Sequence, residues 1–275
     1  MSVERREGCK RAHNHEEASK ARGSFRFPRS GLPYFGQAIG VLMEDPKGTE
    51  GRLTRIPGDV GNGSTFDFPV QYKVMWGVYN WDIVNKKPTK ETEQKVIKYA
   101  KELEMEGVRS IGTYCGFMSY FQPALSAAVE IPVFSSSLLQ VPLVSRLIGR
   151  DRRVGIITFD SSELSEEHLI RAGIDDSIPI AIFGLDTLPP DRSWYDIREP
   201  KPDKRLELVE DRLVYSAKQL VSMNQDIGAI VFECTNLPPG AEAVQEATGL
   251  PVFDVTTLLN WAYNAVVRRR FVGFV

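Results

Sequence analysis

Ile111-Gly-Thr-Tyr-Cys115 and Ile230-Val-Phe-Glu-Cys234 decide the fold of this chain, because each is a short apolar run closed by a cysteine and each opens the same pattern downstream. Ala124 and Ala243 lie nine residues beyond their cysteines, Ala128 and Ala247 thirteen beyond, and Pro132-Val-Phe and Pro251-Val-Phe begin seventeen beyond. One register aligns all of these landmarks. The repeated unit reads as a strand, a loop carrying the cysteine, a helix, and a second buried strand introduced by proline. Two halves of like construction are predicted, related by a pseudo-two-fold axis. Their equivalent strand ends then point into one cleft from opposite sides and put a thiol on each wall.

Outward from this core the alternation continues. Ala38 to Met43 is a short apolar run bounded by turn residues, as a buried parallel strand is. A Gly/Pro/Asp-rich loop from Asp45 to Gly63 comes next, then a strand over Phe66–Trp76 broken early by Pro69. Thr89 can cap a helix with apolar Val96, Ile97, Ala100 and Leu103 at helical spacing, and Gly107 suits its end. A strand at Val108–Tyr114, a helix at Pro123–Val129 and a strand at Ile131–Phe134 complete the first half. The second half repeats the grammar: a strand at Val154–Phe159, a helix at Ser165–Ala172, a strand at Ile178–Phe183, a polar loop at Pro189–Pro202 and an amphipathic helix from Lys204 to Met223. Arg268 to Arg270 read as the solvated face of a C-terminal helix.

The fold class is therefore α/β, with two similar Rossmann-like parallel-sheet domains and the active site in the cleft between them. The predicted division is a flexible tail over residues 1–30, a first domain of 31–149 plus 255–275, and a second of 150–254. The head segment is charged and lacks an apolar period, so it does not offset its own ordering entropy. Cys9 within it is a bystander.

Composition narrows the function. Among 275 residues, 42% are hydrophobic and 25% charged, as in an ordinary globular protein. A net charge of −2 supplies no footprint for nucleic acid or an anionic membrane, which leaves a small-molecule partner. No apolar run reaches 18 residues and no secretory h-region follows the basic head, so a cytoplasmic location is expected. Three cysteines make no disulfide framework. Of the three histidines, His13 and His15 lie in the head and only His168 in the folded part, so no His-based metal site is expected.

Buried cysteine is often no more than a small hydrophobe. Cys115 and Cys234, however, occupy equivalent positions at carboxyl ends of parallel strands, where ligands of such sheets bind. Loops that lead from there into helices offer backbone N–H groups, which favour a thiolate and hold a carboxylate. Gly116, Thr235 and Asn236 are the candidates for that role. Ser135 and Ser136 follow the next strand and can hydrogen-bond a substrate, and Asp59 in the Gly-rich loop can meet its polar groups.

At these residues the chain resembles the aspartate/glutamate racemase superfamily. Glu233-Cys-Thr-Asn-Leu-Pro-Pro239 is similar to that family's second cysteine motif, and Cys115-Gly-Phe with Pro132-Val-Phe-Ser-Ser-Ser137 to its first. The resemblance, from about Ala38 onward, implies two α/β domains with one catalytic cysteine in each, no cofactor, and association into a homo-oligomer. It implies racemisation or epimerisation of a small, amino-acid-like carboxylate, one thiolate removing the α proton and the opposite thiol returning one. Three departures stand out: Gly116 and Phe117 replace the usual polar residue after the first cysteine, and Met43 replaces an aspartate ending strand one. Asp45 is the remaining candidate for an α-amino partner. Pro57-Gly-Asp-Val and Phe66 to Lys73 are similar to a branch containing algal dimethylsulfoniopropionate lyases, which keeps β-elimination open, with decarboxylation as a further outcome. A non-catalytic two-domain binding protein is the reading from another class.

Overall fold

The computed structural model describes residues 35–48, 55–149, 151–194 and 201–273. The head segment with Cys9, His13 and His15, and residues 195–200 of the polar loop, lie outside the described residues.

Among the described residues, eight strands form two sheets of four, all parallel. In the first, β1 (Ile39–Met43), β2 (Val70–Val74), β3 (Ser110–Thr113) and β4 (Val133–Phe134) lie in the order β2-β1-β3-β4. In the second, β5 (Arg153–Thr158), β6 (Ile180–Gly184), β7 (Ile227–Phe232) and β8 (Val252–Phe253) lie in the order β6-β5-β7-β8. Strand for strand the two orders are the same, so the repeat seen in the sequence extends to topology. Each cysteine follows the third strand of its sheet, next to the central one.

The predicted strand over Phe66–Trp76 shrinks to Val70–Val74, because Pro69 has no N–H to give to the ladder. The helices are α1 (Asn80–Ile83), α2 (Lys90–Met105), α3 (Gln122–Ala128), α4 (Val141–Ile148), α5 (Glu166–Arg171), α6 (Pro202–Met223), α7 (Ala241–Thr248) and α8 (Val255–Val266). Thr89 caps α2 by accepting from the Thr92 N–H at 3.1 Å, and Gly107 at φ +88° takes the left-handed turn just past its end. Helix α4 escapes a periodicity reading because Val-Pro-Leu-Val-Ser-Arg-Leu-Ile is strand-length and apolar; its proline sits in the first turn, where no N–H is needed. Arg268–Arg270 correct an expectation: α8 ends at Val266, and the three arginines lie exposed beyond it rather than on a helix face.

The last helix of each half crosses over. α8 packs on β1, β3 and β4 of the first sheet, with Trp261 edge-on to Phe134 and Arg109 donating to the Val266 carbonyl. α4, in the predicted first domain, packs on β5 and β7. This exchange joins the two halves, and one apolar core runs from Val41 and Ile111 through Val141 and Val144 to Ile156 and Val231.

α5 packs on the segment after Cys115. Its His168 is fully buried, accepts at Nδ1 from the Ser165 N–H at 3.2 Å, and stands edge-on to Phe117 at 5.2 Å. Burial, helped by Arg171, pushes its pKa down to about 4. The unfolded chain takes up a proton here near pH 6.5 and the folded chain only near 4, so stability present above pH 6.5 is lost as pH falls toward 4. Urea unfolding at pH 7.5 and 5.0 tests this: the wild type is expected to lose about 2 kcal/mol more than His168→Gln over that interval.

Candidate active site

The carboxyl ends of β3 and β7 meet. The Thr235 hydroxyl, beside Cys234, donates to the Tyr114 carbonyl, beside Cys115. The Ser137 hydroxyl, beyond β4, donates to the Phe232 and Glu233 carbonyls at 2.5 and 3.1 Å. A Cβ built on Gly116 would lie 2.1 Å from the Glu233 carbonyl oxygen and 2.2 Å from its Oε1, so no larger residue fits there. These contacts bring the two cysteine loops together.

Both thiols are free and 7% exposed. Burial first, then the Glu233 carboxyl, pushes Cys234 up to about 12, against the Asn236 N–H and Arg55, which pull it down. Cys115 is raised well above the ordinary thiol range by burial, Glu233 and Cys234, opposed by the Phe117 N–H. Each thiol thus senses Glu233, and Cys115 senses Cys234. Backbone donors accompany each cysteine, and the resting thiols are protonated.

Around them stand groups that no pattern in the sequence singled out. Glu44, just beyond β1, is buried and raised to about 7 by desolvation against the opposing pull of Arg55. Arg55 donates to Glu44 at 3.3 Å and to Asn236 at 2.6 Å, so one cation spans the two halves. Tyr114 and Glu233 each precede a cysteine, at equivalent repeat positions; among the described residues Tyr114 Oη and Glu233 Oε1 are buried without a well-formed hydrogen bond, and the Phe117 N–H pulls the Glu233 pKa down. Glu44 Oε2 is likewise buried without a well-formed hydrogen bond. Closer use of the repeat register could have found Tyr114 and Glu233; Arg55, in a Gly-rich loop, left no signal to find.

The predicted residues divide. Gly116, Thr235 and Asn236 line the meeting of the loops. Phe117 is buried against His168, and its N–H rather than its ring serves the thiol. Ser136 caps the next turn by accepting from the Leu138 N–H at 3.1 Å. Ser135 has a buried hydroxyl without a partner, while its carbonyl accepts from Thr113 at 2.6 Å. Asp45 is employed in a turn: one oxygen accepts from the Lys47 N–H at 3.0 Å and the other from the Gly77 N–H at 2.9 Å. Asp59 is employed in the fold. It pairs through both oxygens with Arg205 of α6, both residues fully buried, and also accepts from the Ile56 N–H at 2.7 Å. That pair clamps the Gly-rich loop over the second cysteine loop, where Gly58 meets Pro239.

Known proteins resemble the chain in sequence and in fold. The chain is 33% identical over 204 residues to a dimethylsulfoniopropionate lyase of Durusdinium sp. clade D, which is 72% of this chain and 66% of that protein. It is 31% identical over 211 residues to dimethylsulfoniopropionate lyase 3 of Emiliania huxleyi, 74% of this chain and 54% of that protein. Among solved structures, unliganded arylmalonate decarboxylase is similar with a TM-score of 0.54 at 15% identity, over 84% of this chain and 92% of that one. Glutamate racemase from Bacillus anthracis gives 0.51 at 12% identity, over 83% and 82%. The chain belongs to the aspartate/glutamate racemase superfamily. No family model matches it. It spans about two thirds of the first lyase and about half of the second. Among the described residues, no helix is long and apolar enough to cross a membrane.

In this superfamily member the Gly116–Glu233 contact admits a simple test. Gly116→Ala is expected to cost roughly 3 kcal/mol or more in urea unfolding, because a backbone carbonyl has no room to give way. Gly63→Ala, at an open position with nothing within 4 Å, is the control and is expected to stay within about 0.5 kcal/mol of wild type.

Proposed function

We propose that the chain is a cofactor-independent carbon–sulfur lyase, which removes the α proton of a small β-sulfonium carboxylate and expels the neutral sulfide. Kinship with the dimethylsulfoniopropionate lyases carries this reading, and the chemistry of the site supports it. A sulfonium carboxylate is a zwitterion. Its cation suits a site with Glu44 and Glu233 beside the thiols, and its carboxylate suits Arg55 and the Phe117 and Asn236 N–H groups. Glu44 already has Arg55, whereas a desolvated carboxyl such as Glu233 is costly when no cation faces it, and a bound cation relieves that cost. Such a cation also lowers the pKa of a nearby thiol, so substrate binding itself favours the thiolate that must attack the weakly acidic C–H. A neutral sulfide leaves without needing a proton. The second thiol is then free to hydrogen-bond the developing enediolate. Asp45, the residue that the resemblance offered to an α-amino group, has both oxygens taken, which favours elimination over amino-acid chemistry.

Racemisation or epimerisation is the second reading, favoured by the equivalence of Cys115 and Cys234 across the repeat. In that reaction the second thiol returns a proton to the opposite face.

Incubation with dimethylsulfoniopropionate in D2O, followed by NMR for the alkene and gas chromatography for the volatile sulfide, separates the two. The expected result is alkene and sulfide, with Cys115→Ala lowering kcat by about 10²-fold or more. Deuterium entering the α position of an enantiopure carboxylate with inversion, and no alkene from any β-substituted acid, would replace elimination by racemisation. If neither Cys115→Ala nor Cys234→Ala changed any turnover, the cysteine chemistry would be wrong.

A further inference from the structure

Glu233 adjoins Cys234 in the chain, yet its side chain is built into the surroundings of the other cysteine. Its Oε1 lies where a Cβ of Gly116, the neighbour of Cys115, would stand. Its Oε2 is anchored, accepting from the Thr158 hydroxyl at 2.9 Å and the Phe159 N–H at 3.2 Å. Oε1 is buried without a well-formed hydrogen bond, and Ser137 holds the carbonyl of the same residue from the other half. One oxygen is thus fixed by two donors, while the other stands beside Gly116, where the Phe117 N–H is the donor that acts on it. A carboxyl that only filled space would bring an uncompensated desolvation cost to this position.

The titratable groups facing Glu233 are Cys115 beyond β3, Cys234 on its own loop and Asp160 beyond β5. Glu44, Asp59, Tyr114 and Arg55 complete the charged and titratable surroundings of the thiols. Of these only Arg55 is a cation, and it donates to Glu44 and Asn236. A thiolate at Cys115 beside an ionised Glu233 puts two negative charges into one desolvated space. The pair therefore favours holding a single charge and a single proton.

We propose that Glu233 is the positioning residue that arms Cys115, taking the thiol proton onto Oε1 so that the thiolate is formed inside the closed site. The S–H bond breaks and an O–H bond forms, with the charge passing from carboxylate to sulfur. The thiolate then removes the α proton, which restores the thiol, and the C–H electron pair expels the sulfide. Glu233 releases its proton to solvent and returns to the carboxylate, so one proton leaves per turnover. This step rests on the reading of the chain as an α-proton-abstracting enzyme. The elevation of Glu233 to about 7, caused first by burial, agrees with a group that exchanges protons near neutrality.

The rate of iodoacetamide labelling at Cys115, followed by peptide mass mapping from pH 5 to 9, tests the shared proton without any substrate. In the wild type the rate is expected to rise about tenfold per pH unit and to level near 7, because above that point the fraction of thiolate with protonated Glu233 no longer depends on pH. Glu233→Gln is expected to lose the levelling and to keep rising. Thr158→Val removes a hydrogen bond that favours the carboxylate and is expected to move the levelling point above 7. In turnover, Glu233→Gln is expected to lower kcat about 10²-fold and to lose the limb near 7 in its pH profile. A wild-type rate that rises through 7 without levelling, a Glu233→Gln variant that keeps the levelling, or no labelling at any pH would each overturn the proposal. If Glu233→Gln fails to fold by circular dichroism, the wild-type and Thr158→Val profiles decide. Levelling without turnover on any carboxylate would leave the proton pair standing and sink the proposed reaction; turnover without levelling would sink the proton pair alone.

Discussion

Gly116 carries no side chain because the carbonyl and carboxyl of Glu233 occupy the space that a Cβ would need. Much of the site depends on this close approach. It presses the end of β3 against the end of β7, and the hydroxyls of Thr235 and Ser137 bridge from each half to carbonyls of the other. The groups gathered there are buried, and burial keeps the thiols protonated and raises the carboxyls of Glu44 and Glu233 to about 7. Geometry and acidity are thus set by the same contact.

Burying this many polar groups has to be offset elsewhere. The exchange of α4 and α8 between the sheets carries one apolar core across both halves, beside a second core of the second half that includes Leu213, Phe232 and Cys234. Asp59 and Arg205 add a fully buried pair between the Gly-rich loop and α6. Such a pair adds little net stability, but losing one partner is costly because the other charge is then stranded. Its effect here is to specify where the loop bearing Arg55 sits, and hence where the site's cation stands.

In the proposed reading, a pair of thiols beside a carboxylate-bearing substrate is compatible with more than one outcome. Removal of a proton next to a carboxylate is common to racemisation and to β-elimination, and the product depends on whether the intermediate meets a proton donor or carries a leaving group. The placement of acids rather than of cysteines therefore bears on the reaction. Glu233 stands at the repeat position where the first half has Tyr114, so the two halves are alike in fold and unlike in charge. In the proposed elimination only one thiol acts as base, which agrees with that asymmetry.

Apolar period, turn residues and the register from Cys115 and Cys234 to their following Pro-Val-Phe strands were enough to read two parallel-sheet halves. Those signals are local: a strand is short and apolar, a capped helix begins at Thr89, and a repeat keeps its spacing whatever it packs against. The sequence by itself therefore determined the fold class and the equivalence of the two thiols. It left open which acids face them, because Asp45 and Asp59 are intrinsically as acidic as Glu44 and Glu233. Only the tertiary structure decided that the first two are consumed by a turn and by Arg205, while the other two lose their water. The acidity of a carboxyl depends on the dielectric and the donors around it, and neighbours supplied by segments as distant as Gly116 and Glu233 do not appear in any local pattern.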